Sequence, residues 1–101
     1  MDLSWLERTE LLIGKESVER LASRKVLIVG LGGVGSFAAE FIARAGIGNL
    51  TIIDGDIVDK TNKNRQLPAL TSTVGMKKAE LMAMRISDIN PDVNLQVIDS
   101  F

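Results

Sequence analysis

A glycine-rich run at residues 30–35 is the part of the chain best suited to hold a phosphate group. The run reads GLGGVG. Glycine at Gly30 permits a tight turn, Gly32 lets a phosphate approach the backbone, and Gly35 lets a helix pack closely on a strand. The helix that follows would present unpaired N–H groups and the positive end of its dipole to an anion. We therefore predict a nucleotide site here. A joint that needs glycine only for packing is the alternative.

An acidic residue follows the second apolar segment at a distance that suits ribose recognition. Asp54 lies 24 positions after Gly30 and ends the run LTIID. A carboxylate at the end of a second strand can accept hydrogen bonds from ribose hydroxyls. A capping or turn aspartate is the alternative, and at this point NAD and ATP fit the residues equally well.

Two cations further along the chain favour a triphosphate over a dinucleotide. Arg65 lies in the segment TNKNRQ and Lys78 in the segment VGMKK. Several negative charges require fixed cations, and the planar guanidinium of Arg65 can grip phosphate oxygens as a fork. Lys78 would add a point charge from the first turn of the next helix. For either cation alone, a solvated surface position is the more common alternative.

The elements that position these residues follow from hydrophobic periodicity. Residues 26–29 are apolar without alternation and rich in β-branched side chains, which predicts a strand buried on both faces, in a parallel sheet with helices on each side. A helix is expected from Gly33 to Ala45, with Gly46 as its left-handed cap. The remaining elements are predicted as strand, loop, helix and strand at 50–54, 55–75, 76–90 and 93–97.

The predicted fold class is α/β, the N-terminal part of a Rossmann-like, doubly wound parallel sheet in which helices precede β-α-β-α-β. Residues 1–23 are expected to form an N-terminal helical segment of two short helices separated near Gly14. Residues 24–101 are expected to form the nucleotide-binding half. A sheet of three strands leaves the first strand at an open edge. We interpret the chain as a piece of a longer enzyme, truncated before its substrate-binding half.

Composition limits the possible functions. The chain has 101 residues, 46% of them hydrophobic, and a formal net charge of −1, which is enough for one small domain and gives no sign of nucleic-acid binding. The absence of cysteine removes disulfides, thiolate metal sites and a cysteine nucleophile from these residues. The apolar runs are too short to span a bilayer, and the N-terminus lacks the order of a signal peptide. We therefore predict a cytoplasmic protein without a membrane segment.

Three segments resemble the ThiF/MoeB/HesA family, the bacterial relatives of ubiquitin-activating enzymes. They are GLGGVGS, DGDIVDKTNKNRQ and VGMKKAE. The resemblance covers residues 8–98, with the segments in the order and spacing of the family. Within the family, the runs GVGS-x-AAE-x-x-AR-x-GIG, N-x-NRQ-x-x-AL and KAE-x-MA-x-RI-x-x-INP resemble a branch that modifies tRNA.

The resemblance implies a role for each matching residue. Gly33 would lie against the ATP phosphates and Asp54 would bind the ribose. The triphosphate would be held by Asn62, Arg65 and Lys78, with Asp56 nearby. Arg8 is the candidate for an N-terminal arginine that reaches the ATP of the partner subunit in a homodimer. The magnesium-binding aspartate of the family follows the next strand, so no metal ligand is assigned within these residues. The predicted cofactor-binding set is Gly30, Gly32, Gly33, Gly35, Asp54, Asp56, Asn62, Arg65 and Lys78, and the predicted catalytic set is Arg65, Lys78 and Arg8.

The activity implied by the resemblance is adenylation of a carboxylate with ATP and Mg²⁺. In the tRNA-modifying branch, the carboxylate belongs to threonylcarbamoyladenosine in tRNA, and its side chain closes into a ring with net loss of water. Adenylation of the C-terminal glycine of a ubiquitin-like sulfur carrier is the alternative within the family. A NAD-binding oxidoreductase domain and a non-catalytic nucleotide-binding module are the alternatives outside it. These residues alone are expected to be inactive.

Overall fold

The computed structural model describes residues 1–101, which fold in the order helix, helix, strand, helix, strand, helix, strand. Short 3₁₀ turns occur at Ser4–Leu6, Lys60–Asn64 and Thr71–Thr73. No helix is both long enough and apolar enough to cross a lipid bilayer. The helices and strands are α1 Glu7–Ile13, α2 Lys15–Ala22, β1 Lys25–Val29, α3 Gly35–Arg44, β2 Asn49–Ile53, α4 Lys78–Ile89 and β3 Asn94–Ile98.

The sheet has three parallel strands in the order β1-β2-β3. The register places Ile28 beside Ile52, and Ile52 beside Val97. Strand β1 therefore lies at an open edge, as predicted. The carboxyl ends of β1 and β2 meet at the same edge of the sheet, where the glycine-rich run begins. The predicted α/β class and the predicted order of elements are confirmed.

The hydrophobic core lies between one face of the sheet and the two crossover helices. Helices α3 and α4 face it with small and flexible side chains, so that the helices approach the sheet and each other closely. The buried cluster consists of Ile28, Leu31, Ala39, Ala43, Leu50, Ile52, Ala79, Met82 and Ile86.

The prediction that β1 is buried on both faces is wrong for this chain. Leu27 and Val29 are 59% and 72% exposed, and Ile98 of β3 on the same face is 42% exposed. The physical reason lies in the topology. Both crossovers step in the same direction across the sheet, so right-handed connections place α3 and α4 on one face. An apolar run without alternation does not reveal this asymmetry.

The observed helix boundaries are narrower than the predicted ones. Helix α3 begins at Gly35 rather than Gly33 and ends at Arg44, followed by Gly46 with a φ of +90°. The left-handed glycine cap is thus confirmed. Helix α4 begins at Lys78 rather than Met76, because the residues just before it are held in extended pairing with the segment after β2.

Candidate functional site

The glycine-rich run forms the turn between β1 and α3, and its conformation requires glycine at both ends. Gly30 has a φ of +91° and donates its N–H to Ile53 O at 2.7 Å. A Cβ placed on Gly35 would lie 1.8 Å from Gly30 O, so no side chain fits there. The first turn of α3 carries no acidic residue. The first turn of this helix therefore adds no negative charge of its own that would repel an anion bound at its amides.

Asp54 joins the end of β2 to the glycine-rich run. It is 6% exposed. Its Oδ2 accepts the N–H of Leu31 at 2.7 Å, and its Oδ1 accepts the N–H of Asp56 at 2.7 Å. Each carboxylate oxygen has a further lone pair with which to accept a hydroxyl. Asp54 thus has a structural role in the turn, and its predicted contact with ribose stays a prediction.

Lys78 reaches the same edge through Asp56. The N–H of Lys78 donates to Asp56 O at 3.1 Å, and its Nζ lies 3.9 Å from Asp56 Oδ2. The side chain of Lys78 is only 6% exposed. A buried ammonium at ion-pair distance from a single carboxylate retains N–H donors for a second anionic partner. Contacts therefore run from Lys78 through Asp56 and Asp54 to Leu31 in the glycine-rich run.

Extended pairing in the long loop fixes this position of Lys78. Val58 donates to Met76 O and Gly75 donates to Val58 O, both at 2.8 Å. Ile57 and Lys77 form an antiparallel bridge. These hydrogen bonds hold together the two ends of the predicted loop at 55–75. Helix α4 therefore begins close to the carboxyl ends of the strands.

Arg65 lies over the third glycine of the run. A Cβ placed on Gly33 would lie 3.4 Å from Arg65 Cγ and 3.5 Å from Arg65 Cδ. The guanidinium is exposed, and its Nη1 donates to Asn64 Oδ1 at 2.9 Å. The structure therefore brings Arg65 to the glycine-rich run, across 32 positions of sequence.

Asn62 shapes the turn that carries Arg65. Its Oδ1 accepts the N–H of Asp59, while Asp59 Oδ2 accepts the N–H of Thr61, so the two side chains cap the 3₁₀ turn reciprocally. The hydrogen bonds from Thr61 hold the pKa of the Asp59 carboxyl below its usual value. The backbone O of Asn62 also accepts the N–H groups of Arg65 and Gln66. The Nδ2 of Asn62 is the part of this side chain that could still serve the predicted contact with phosphate.

Ser36 links the glycine-rich run to the chain after Arg65, and the sequence did not predict this. Its Oγ donates to Gly32 O and accepts the N–H of Leu67 at 3.2 Å. Ser36 is fully buried. Its position in GVGS was the available signal, but a serine in the first turn of a helix does not identify a partner 31 positions away.

The predicted residues are brought together with one exception. The glycine-rich run, Asp54, Asp56, Asn62, Arg65 and Lys78 share the carboxyl edge of the sheet. Arg8 is exposed on α1, which packs on α2, and it makes no hydrogen bond or ion pair with the others. No group of three or more His, Cys, Asp or Glu side chains lies together as a metal cluster. The edge can thus supply amide donors, two cations and two carboxylates.

The sequence of this chain is similar to those of a tRNA-modifying dehydratase and an adenylyltransferase. A sequence model of the ThiF family matches residues 6–101. The chain is 52% identical, over 98% of its length, to 39% of the tRNA threonylcarbamoyladenosine dehydratase of Bacillus subtilis. It is 40% identical, over 81% of its length, to 34% of the molybdopterin-synthase adenylyltransferase of Haemophilus influenzae. Both alignments therefore span well under half of the relatives.

A solved structure with nucleotide is also similar. The crystal structure of the Escherichia coli tRNA N6-threonylcarbamoyladenosine dehydratase in complex with ATP has a TM-score of 0.92 and 47% sequence identity to this chain. The match covers 99% of this chain and 42% of that one. The three-stranded sheet and its crossover helices therefore have the same architecture as part of an ATP-bound protein.

Proposed function

Because the chain belongs to the ThiF family, we propose that it is the nucleotide-binding part of an ATP-dependent enzyme that adenylates a carboxylate. The substrate proposed is the threonylcarbamoyl group of threonylcarbamoyladenosine in tRNA. The observation that carries the proposal is Arg65 lying over Gly33, in a fold shared with an ATP-bound dehydratase. Residues 1–23 would form a helical segment before the nucleotide-binding half at 24–101.

Phosphate binding would use three kinds of donor at one edge. Amides of the run around Gly33 and the first turn of α3 would face the phosphates, as helix N-termini do for anions. Arg65 would leave its hydrogen bond to Asn64 and grip phosphate oxygens. Lys78, already desolvated, would add its charge without further loss of hydration. Together they would neutralise charge that develops on the departing pyrophosphate.

The proposed adenylation step would use this arrangement. A carboxylate oxygen of the substrate attacks the α-phosphorus of ATP, the bond to the β-phosphate oxygen breaks, and pyrophosphate leaves with the electron pair. The product is an acyl-adenylate. Ring closure of the threonylcarbamoyl side chain then expels AMP, and the two steps together remove one water from the substrate. The contribution of these residues is positioning and charge neutralisation.

The proposed Mg²⁺ would be bound mainly by the phosphates of ATP and not by a set of protein ligands alone. The described side chains include no acidic cluster, and Mg²⁺ commonly binds through one or two carboxylates together with substrate phosphates. When bound, the ion would neutralise phosphate charge. Asp56, whose side chain is 57% exposed beside Lys78, is the carboxylate of this chain that could approach it.

Adenylation of a ubiquitin-like carrier is the second candidate. The 40% identity to a molybdopterin-synthase adenylyltransferase supports it, and the chemistry at the α-phosphorus would be the same. We favour tRNA because the identity to the dehydratase is higher and spans more of the chain. A homodimer in which Arg8 contacts the ATP of the partner, and a cytoplasmic location, complete the proposal.

Removal of either proposed phosphate cation tests the function. In the full-length protein, Arg65→Ala and Lys78→Ala should each reduce ATP-dependent release of pyrophosphate by roughly 100-fold or more, since each removes charge aimed at the phosphates. Lys77→Ala is the matched control, because Lys77 is adjacent but its side chain is half exposed and pairs with Asp99. Thermal melting would verify that all variants fold.

Substrate choice is read from the same assay. Pyrophosphate and AMP would be measured with tRNA bearing threonylcarbamoyladenosine, with a ubiquitin-like carrier, and with neither. Turnover stimulated only by the carrier would replace the tRNA proposal. Normal turnover in both Arg65→Ala and Lys78→Ala would contradict the proposed site, and stabilisation by NAD but not by ATP would point to an oxidoreductase.

A further inference from the structure

Gln66 is a buried amide beside the glycine-rich run. It is 8% exposed, and its Oε1 is fully buried without a hydrogen-bond partner. A Cβ placed on Gly32 would lie 3.7 Å from Gln66 Nε2. The nitrogen end of the amide thus faces the second glycine of the run, which is the position where a phosphate can approach the backbone.

The backbone around Gln66 is held firmly. Its N–H donates to Asn62 O at 2.9 Å, and its own O accepts the N–H of Ala69 at 3.1 Å. The next residue, Leu67, donates to Ser36 Oγ at 3.2 Å. The amide is therefore presented to Gly32 by a segment that is fixed on both sides.

The side-chain amide contributes little to the fold through its polarity. A buried polar atom without a partner has lost its hydrogen bonds to water and gained none in return, which is unfavourable. A methionine of similar length would fill the same space without this loss. The Nε2 of Gln66 also donates no hydrogen bond within the chain, and unlike Oε1 it is not fully buried, so its N–H groups remain available to an acceptor other than the chain itself.

We propose that Gln66 is a positioning residue that donates a hydrogen bond from Nε2 to a phosphate oxygen of the nucleotide at Gly32. This inference rests on the proposed function and extends it to a residue outside the predicted set. A phosphate is favoured over the ribose because the amide faces Gly32, whereas the predicted ribose acceptor, Asp54, is bonded to Leu31. Gln66 and Arg65 would then flank the same phosphate chain from adjacent positions.

Two substitutions in the full-length protein test the proposal. Gln66→Met removes the donor and the buried unpaired oxygen together, so the melting temperature without ligand should stay the same or rise. The Kd for ATP should rise by about tenfold to hundredfold, the usual effect of losing a hydrogen bond to a charged group. Gln66→Glu is isosteric and places a carboxylate near the phosphates, so it should weaken ATP binding at least as much. Adenosine, which has no phosphate, should bind equally to all forms.

Asn90 supplies the matched control. It is also a buried amide, 5% exposed, but its Nδ2 donates to Ile47 O at 3.0 Å. Asn90→Leu should therefore lower the melting temperature and leave the Kd for ATP of the folded protein unchanged, the opposite of Gln66→Met. A merely structural amide at position 66 would behave like Asn90.

The outcomes separate the two proposals. Equal Kd values for ATP in wild type and Gln66→Met would overturn the role of Gln66 while leaving the proposed function intact. Weakened adenosine binding in parallel with ATP would also overturn it, because the contact would not be to phosphate. Failure of the wild type to bind ATP would overturn the proposed function and this inference together. Should Gln66→Met not fold, Gln66→Glu decides by the same comparison of ATP with adenosine.

Discussion

Replacing Ser36 with alanine should weaken the attachment of the segment around Arg65 to the glycine-rich run. The hydroxyl of Ser36 is the acceptor for the N–H of Leu67, in a position with no exposure to solvent. Alanine keeps the helix and the packing of the Cβ but removes that acceptor. Gly32 O keeps a partner, because the backbone N–H of Ser36 also donates to it at 3.1 Å.

The expected loss of stability in Ser36→Ala comes from one N–H group, that of Leu67, which is left without an acceptor. A buried N–H left without an acceptor costs about 1–3 kcal/mol, and Leu67 is only half-buried, so a loss of about 1–2 kcal/mol is expected. The same segment presents Arg65 to the phosphate site. Binding of ATP should therefore weaken by roughly 30-fold at most, since each 1.4 kcal/mol corresponds to a factor of about ten.

Urea unfolding and titration calorimetry with ATP would measure the two effects on the full-length protein. Ser23→Ala is the matched control, because the hydroxyl of Ser23 donates only to Arg20 O at the exposed end of α2. That variant should lose only a few tenths of a kcal/mol, as surface substitutions usually do, and bind ATP normally. If Ser36→Ala matched Ser23→Ala in both measurements, the link to Leu67 would not be what holds Arg65 in place.

Two further predictions concern the glycine-rich run and the pairing of α3 with α4. Gly35→Ala should lower the free energy of unfolding in urea by roughly 3 kcal/mol or more, because its Cβ would collide with Gly30 O at 1.8 Å. Gly32→Ala should fold normally, since its Cβ meets only Gln66 Nε2 at 3.7 Å, but its ATP affinity should fall; equal stability of the two variants would contradict this reading. The hydrogen bonds of Arg85 hold the pKa of the Glu40 carboxyl below its usual value. The resulting stability is therefore present above the ordinary glutamate pKa and is lost as pH falls below it. Melting at pH 7 and near pH 3 should reveal a loss of roughly 1 kcal/mol from this pair, absent in Glu40→Gln; an unchanged pH profile in that variant would refute the assignment.

Much of the fold could be predicted because its signals are local. The tight turn at Gly30, the left-handed cap at Gly46, the strand at residues 26–29 and the helix predicted to end at residue 90 each depend on the neighbouring sequence. Right-handed crossovers then leave few topologies for this order of elements. The meeting of Asp54 with the glycine-rich run at one edge could also be predicted, because each follows a strand and the carboxyl ends of parallel strands lie together.

The features that could not be predicted depend on contacts between distant residues. The contacts of Ser36 with Leu67 and of Gln66 with Gly32 both require the long loop to lie against the glycine-rich run. The exposure of Leu27 and Val29 depends on which face the crossover helices cover, and an uninterrupted apolar strand carries no information about that choice. Contacts between two segments that are distant in sequence leave no periodic pattern in either segment, so the sequence does not predict them.

The two hydrogen bonds accepted by Asp54 have an evolutionary consequence. Asp54 holds the turn together and is also expected to bind the ribose. A substitution that changed sugar recognition would therefore also remove hydrogen bonds of the turn. The two donors are the backbone N–H groups of Leu31 and Asp56, which remain whatever side chains those residues carry. A change at Asp54 would therefore require another acceptor for both of them. Changes of nucleotide specificity should therefore arise first at side chains that contact the ligand but make no hydrogen bond that the fold requires.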